Sequence, residues 1–278
     1  MNCIICDTEL KKETAWASNC PGCDFWVSEL EPGAGRGIDG LETLRRQNFI
    51  ILCNHFETLR PLKGINCLEV GCAEGWFLDE ANSRGASCIG IEPSEVSEIA
   101  LKAGHKVKKG FFPDVLDPDT QFDLIIFNDV FEHLPDPVFA IKECENKLAA
   151  GGFLILNLPD SKGLFFRIAR FLIRFGKDNL FNRLWQKGFP SPHLTYFNER
   201  NLVRFINRYT ALDKKKSFPI PTIHRQGLKG RIDASHTGLT GSLIFLVLYF
   251  ASPIIQRLPQ DTVTVIFQKI ANAPSQGE

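Results

Sequence analysis

The stretch Leu68–Glu92, LEVGCAEGWFLDEANSRGASCIGIE, decides how the rest of the chain is read. Ile65 to Val70 is an apolar run bounded by Gly64 and Gly71, the pattern of a short buried strand. Gly71 and Gly75 bracket Cys72, Ala73 and Glu74, and glycine at such a turn permits positive φ and lets a ligand approach the backbone. Trp76 to Arg84 reads as a helix that Gly85 ends, and Ser87 to Ile91 as the next strand, with Glu92 at its carboxyl end. In an open parallel sheet, ligands sit beyond the carboxyl ends of the strands near the topological switch point. Glu92, about 20 residues after the first glycine, is placed to accept hydrogen bonds from ribose hydroxyls.

Two cofactor classes use this geometry. A dinucleotide site calls for G-x-G-x-x-G, so that a pyrophosphate rests on the helix N-terminus. This chain has G-x-x-x-G, with Glu69 before it and Glu74 inside it. Carboxylates there repel a pyrophosphate but suit an ammonium and a sulfonium. The stretch resembles motif I of the class I S-adenosylmethionine-dependent methyltransferases, E/D-x-G-x-G-x-G, with Ala73 in place of the middle glycine. The resemblance implies an α/β fold, a doubly wound Rossmann-like sheet of about seven strands ending in an antiparallel hairpin. It also implies that Glu69, Gly71, Cys72, Ala73, Gly75 and Glu92 surround S-adenosylmethionine. A dinucleotide-dependent oxidoreductase stays open as the alternative, and so does a plain βαβ turn without a ligand.

Further along, Ser94 can cap a helix through Ala103, and Lys106 to Gly110 makes a third strand. Phe111 and Phe112 follow it, placed either against an adenine ring or in the core. Phe122 to Phe127 is a fourth strand whose continuous apolar run fits a sheet covered on both faces. Directly after it comes Asn128-Asp129-Val130-Phe131-Glu132-His133-Leu134-Pro135, polar side chains at the same sheet edge as Gly71 and Glu92. This segment resembles the N/D-x-x-x-H pattern that follows strand four in the same methyltransferases. By that resemblance Asn128 and Asp129 face the cofactor and His133 sits near the methyl donor, as base or as brace. Val138 to Leu148 is a helix, Phe153 to Leu158 the fifth strand, Ala211 to Phe218 the sixth and Thr262 to Phe267 the last. Ser191 to Phe197, followed by a helix from Asn198 to Arg208, resembles the H-x-x-x-F segment of ubiquinone-type methyltransferases. That resemblance puts His193 and Tyr196 on the substrate side. His193 is the first candidate for general base, since imidazole titrates near neutral pH.

At the start of the chain, Cys3-x2-Cys6 and Cys20-x2-Cys23 match the paired knuckles of a structural zinc ribbon, with no open coordination position for catalysis. A ribbon over residues 1–30 is too short to bury much apolar surface and would lean on its metal to fold. Residues 31–60 read as a glycine-rich linker, EPGAGRGIDG, and one or two helices between Leu41 and Leu59. By the same resemblance residues 61–270 are expected to form the methyltransferase domain, with a basic amphipathic insert at 160–255. Nine cysteines, an odd number, do not look like a secreted disulfide framework, and the stretch that opens MNCIIC lacks the charged and then apolar pattern of a signal peptide. The expectation is a cytoplasmic protein.

Formal net charge is zero, with 32 basic and 32 acidic residues, so there is no global pull toward nucleic acid. The insert is different. Asp160 to Arg231 holds sixteen basic residues against four acidic ones. In Gly163–Lys177, GLFFRIARFLIRFGK, the cations Arg167, Arg170, Arg174 and Lys177 fall on one helical stripe among Phe and Leu residues. Phe165–Lys177 therefore reads as an interfacial helix for an anionic membrane surface, with the apolar run Leu243–Ala251 as a second, shallow element. Packing of both segments on each other or on a partner is the competing reading. The acceptor side is read as a small-molecule or lipid-linked or nucleotide-linked hydroxyl, with O-methylation the leading chemistry, peripheral membrane contact at the inner face left open, and nucleic acid set aside. A non-catalytic zinc-ribbon binding module is the remaining alternative.

Overall fold

Strands β4 (Asn66–Val70), β7 (Phe122–Asn128) and β8 (Leu148–Pro159) are buried over most of their length. Along β7, Ile125 and Phe127 join one core cluster while Leu124 and Ile126 join another, so both faces of the strand are covered. The computed structural model describes residues 1–35, 40–222, 228–229, 242, 245–246, 249–252 and 257–270. Around these strands lie β5 (Ser87–Glu92), β6 (Lys106–Lys109), β10 (Leu212–Phe218) and β11 (Thr262–Lys269), in the spatial order β10-β11-β8-β7-β4-β5-β6. Pairing is parallel from β6 through β8 and antiparallel from β8 to β11 and β11 to β10. The seven-stranded Rossmann-like sheet and its terminal hairpin are both present.

Helices follow the apolar periodicity, with local departures. A single helix α1 (Glu42–Glu57) fills the segment read as one or two, burying Phe49, Leu52, Cys53 and Phe56. After β4 comes α2 (Trp76–Ser83), and after β5 comes α3 (Ser97–Lys102). Ser94 does not cap α3, because its hydroxyl donates to Glu92 instead. Helix α4 (Pro137–Lys147) is capped by Asp136, and α7 (Glu199–Tyr209) by a reciprocal pair of bonds between Asn198 and Asn201. Helix α5 (Leu164–Ile173) stops short of Lys177, since Gly176 turns the chain at φ 72°. Helix α6 (Asn179–Leu184) follows.

The cysteine-rich segment contributes β1 (Lys11–Lys12), β2 (Ala17–Asn19) and β3 (Trp26–Ser28). Its sheet is completed by β9 (Thr195–Tyr196), which pairs with β3. The segment is therefore woven into the larger domain. Sγ of Cys3 and Cys23 lie 3.6 Å apart and those of Cys6 and Cys20 3.4 Å apart, with all four sulfurs within 4.8 Å. Asp7 and Asp24, the residues after the second cysteine of each pair, take φ of 61° and 59°, a region that Asp tolerates better than most residues. Each also reaches an arginine of the larger domain: Asp7 accepts two bonds from Arg208, and Asp24 one from Arg170. Glycine would supply the turn but not these ties.

Helix α5 is anchored by Asp261, whose Oδ1 accepts from the backbone N–H of Phe165 (2.7 Å) and Phe166 (3.3 Å). Nearby, burial pushes the Asp160 carboxyl up to about 6. A raised acid pKa means that its stabilising contribution is complete below the unfolded value and is lost as pH rises through the folded one. Asp160→Asn should thus stabilise the protein at pH 7.5 by about 1–3 kcal/mol, with the gain fading as pH falls from about 6 toward 4. Urea denaturation at a series of pH values measures this, and a gain independent of pH would contradict it.

Candidate functional site

Because β4 pairs with β5 on one side and β7 on the other, the strand order reverses there and the carboxyl ends of the three strands open into a crevice. A cavity of about 600 Å³ occupies it. Gly71, Ala73, Glu92, Phe111, Asn128 and Asp129 line one end, and His133, Gln186, Phe189, Ser191 and His193 the other. Residues Pro32–Gly35 and Leu41 and Arg45 close it from the N-terminal side.

The turn after β4 explains its glycines. Gly71 has φ 74°, and a Cβ there would lie 2.4 Å from Cγ2 of Val130, so any side chain would push the ends of β4 and β7 apart. Gly75 has φ 84° and packs behind the turn, where a Cβ would meet the His105 ring at 2.8 Å. It does not line the cavity. Ala73 takes φ 44°, and its N–H donates to Oε2 of Glu92 at 3.1 Å. The Ser94 N–H donates to Oε1 at 2.9 Å, so the carboxylate of Glu92 is held from both sides while still lining the cavity. Cys72 turns its sulfur into the core beneath Gly90, leaving only its backbone near the crevice.

A smaller space adjoins this end, lined by Arg45, Glu69, Asn128 and Asp129 among others. Glu69 is 2% exposed, and burial pushes its carboxyl well above the usual range. Nδ2 of Asn128 donates to its Oε1 at 2.9 Å, while its Oε2 and Oδ1 of Asn128 have no partner in the protein. Two orphaned acceptors beside a void form a fitting seat for an ammonium group. Arg45 stands 3.8 Å from Asp129, whose backbone is held at φ 53° by donation from its N–H to the Asn157 carbonyl.

At the opposite end, Phe131–His133 form a single 3₁₀ turn that aims Glu132 and His133 toward the segment before β9. Nδ1 of His133 lies 2.9 Å from the Pro192 carbonyl, and the rings of His133 and His193 are 4.8 Å apart. Burial pushes both imidazoles down, His193 the further, and pushes the Glu132 carboxyl well up, with Asp129 adding to the effect. Tyr196 is not on this wall. It is 2% exposed, packs with Phe166 and Trp185 and behind the His193 ring (centroids 5.2 Å apart), and donates to the Leu184 carbonyl. The structure thus brings together Gly71, Ala73, Glu92, Asn128, Asp129, His133 and His193 on one cavity, with Glu69 behind it. Sequence reasoning gave no role to Glu132, Arg45 or Gln186. Only Glu132 had a signal, its place beside His133 in the polar run after β7.

Residues 41–209, more than half of the chain, match the family described as methyltransferase domain. The ubiquinone biosynthesis O-methyltransferase of Bradyrhizobium diazoefficiens is 29% identical over 116 residues, 38% of this chain and 46% of that protein. The protein of the same description from Pelagibacter ubique is 32% identical over 106 residues, 35% of this chain and 43% of that one. The chain spans less than half the length of these curated relatives. Among solved structures, magnesium protoporphyrin IX methyltransferase from Synechocystis with bound SAH superposes with a TM-score of 0.54 at 13% identity, over 85% of this chain and 90% of that one. The cyclopropane synthase MmaA2 from Mycobacterium tuberculosis gives 0.58 at 12% identity, over 86% and 90%. At such identities the likeness establishes the fold.

Proposed function

We propose that this chain, which belongs to the methyltransferase domain family, transfers a methyl group from S-adenosylmethionine to a hydroxyl oxygen of a small or lipid-linked acceptor. The observation that carries the reading is the division of one cavity between a held carboxylate, Glu92, and a cluster of buried imidazoles and acid at its far end. Glu92 takes the ribose hydroxyls of the donor, the exposed ring of Phe111 lies along its adenine, and Glu69 with Asn128 receives its ammonium. Arg45 faces its carboxylate. The sulfonium then points toward His133 and His193, between which the acceptor hydroxyl is brought. Alignment of that oxygen with the methyl–sulfur bond supplies most of the acceleration such transfers need. A neutral imidazole, of His133 or His193, takes the proton that leaves the hydroxyl. Oxygen as the acceptor atom is supported by the description of the curated relatives.

Cys3, Cys6, Cys20 and Cys23 would hold a structural zinc. Their sulfur separations of 3.4 and 3.6 Å are close to the edge of about 3.8 Å expected for a ZnS₄ tetrahedron with bonds of about 2.3 Å. The Ser28 hydroxyl, on β3, donates to the His193 carbonyl at 2.9 Å, so the metal-bound segment would also brace the acceptor end.

A lipid-linked acceptor is favoured by α5. Ile168, Phe171 and Phe175 are exposed, the last 65%, and Arg167 and Arg174 are exposed beside them. Arg170 is excluded from this face, being tied to Asp24 and lying over the Trp26 ring. In the second apolar run, Leu243–Ala251, residues 243–244 and 247–248 lie outside the described residues, and among the rest Leu246 and Phe250 are exposed. Among the described residues no helix is long and apolar enough to cross a membrane, so contact would be peripheral.

Tritiated S-adenosylmethionine incubated with lipid and polar extracts should label an organic-soluble, alkali-stable product, and Glu92→Ala should lower the rate at least about tenfold. Label confined to protein or to no product would contradict the reading. The purified protein should carry one zinc per chain through the four cysteines, and Cys20→Ser should lower methyl transfer more than donor binding. Equal losses, or full activity without zinc, would oppose a bracing role. In liposome flotation the protein should bind anionic vesicles, and Arg167→Glu with Arg174→Glu should abolish that binding; unchanged binding would remove the membrane from the account.

A further inference from the structure

Glu69 is an acid in the middle of a covered sheet. Cys67, Leu68 and Val70 around it in β4 are buried and apolar, and Glu69 itself is 2% exposed. Nδ2 of Asn128 donates to its Oε1 at 2.9 Å. Oε2 and Oδ1 of Asn128 have no partner in the protein, and both residues line a small space at the donor end. A neutral amide compensates poorly for a buried negative charge, so a carboxyl group in this setting keeps its proton.

The charged and titratable groups around it leave that outcome in place. From α1, the guanidinium of Arg45 favours the ionised form, but it lies 3.8 Å from Asp129 beyond β7 and is shared with that carboxylate. From β5, Glu92 and the Cys88 thiol oppose ionisation. Burial pushes the Cys72 thiol up, and the adjacent Cys88 pushes up that of Cys67, so both stay neutral. α2 presents Trp76 and Phe77 to the same space, neither of them titratable. Burial is the largest of these effects and holds the Glu69 carboxyl well above the usual range.

We propose that Glu69 is a carboxylic acid in the free protein and a carboxylate when the donor's ammonium is seated, so that binding of S-adenosylmethionine or S-adenosylhomocysteine expels one proton. The inference rests on the methyl-transfer reading, which puts that ammonium against Glu69 and Asn128. An ammonium has hydrogens to donate and no lone pair. A protonated Glu69 meets it with a hydroxyl that is itself a donor; an ionised one meets it with acceptors and the opposite charge, where little water screens the pair. The carboxyl O–H bond breaks, its electron pair stays on the oxygen, and the proton goes to solvent. One positive charge enters the buried space and one leaves, so its net charge is unchanged. The exchange also makes the amino group a condition of tight binding, because an adenine nucleoside without it leaves Glu69 protonated. Where Glu69 is protonated free and ionised bound, affinity rises about tenfold per pH unit, and it levels off once the free protein's Glu69 ionises.

Isothermal titration of the full chain with S-adenosylhomocysteine at about pH 6.5, in phosphate, MES and Bis-Tris, counts the protons, since the heat measured varies with the ionisation heat of the buffer. One proton should be released per nucleoside bound, and affinity should fall about tenfold between about pH 6.5 and 5.5. Glu69→Gln should release none, and its weaker binding should be indifferent to pH over that range. 5′-Methylthioadenosine, the same nucleoside thioether without the amino acid, should release none from the unaltered chain, which keeps the test decisive if Glu69→Gln fails to fold. Binding of S-adenosylhomocysteine without proton release, release that survives in Glu69→Gln, or equal release with 5′-methylthioadenosine would overturn the proposal and leave methyl transfer standing. Failure of S-adenosylhomocysteine to bind at all would overturn the methyl-transfer reading, and the proposal with it.

Discussion

Everything built at the cavity depends on β4 being hydrogen-bonded in parallel to β5 on one side and to β7 on the other. Crossovers from such a strand depart in opposite directions, so neither crossover covers the strand ends. Each end then contributes one part. β4 gives the left-handed turn at Gly71, β5 gives Glu92, and β7 gives Asn128, Asp129 and the short turn with Glu132 and His133. The sheet beneath is packed on both faces, which fixes these groups more firmly than a loop could.

The cysteine-rich segment backs the same site through the bond from Ser28 to the His193 carbonyl. Its ties to the domain differ in weight. The Asp24–Arg170 pair is partly exposed and screened, and such pairs contribute about 0–1 kcal/mol. Trp26 is fully buried against Phe166 and Phe181, a contact of a kind whose truncation to alanine costs about 3–5 kcal/mol. Apolar packing therefore holds the segment in place, and the ion pairs add little to it. Through β3, β9 and Ser28 that placement reaches His193.

Local signals in the chain were enough for much of this. The apolar runs of β4, β7 and β8, the glycines at 71 and 75 and the Asn198 cap are readable because each depends on neighbours in sequence. Elements that depend on distant partners were not readable. Ser94 could have capped α3, and only the presence of Glu92 in hydrogen-bonding range diverts it. Tyr196 sits three residues from His193 and its ring packs behind that imidazole, centroids 5.2 Å apart, but its hydroxyl turns to the Leu184 carbonyl in an aromatic core drawn largely from α5, α6 and β3. Arg45 lies inside an apolar-periodic helix and becomes a site residue only when α1 is laid across the crevice. The pairing of β3 with β9 joins segments more than 160 residues apart, and nothing in either announces the other.

The identity of the bound cofactor tests this account most directly. A turn with Glu69 and Asn128 left as open acceptors, and with a carboxylate in place of room for a pyrophosphate, should discriminate between two nucleotides of similar size. Isothermal titration of the full chain with S-adenosylhomocysteine and, separately, with NAD measures that discrimination. The account predicts one micromolar-range site for S-adenosylhomocysteine and no heat of binding with NAD; binding of NAD with none of S-adenosylhomocysteine would contradict it.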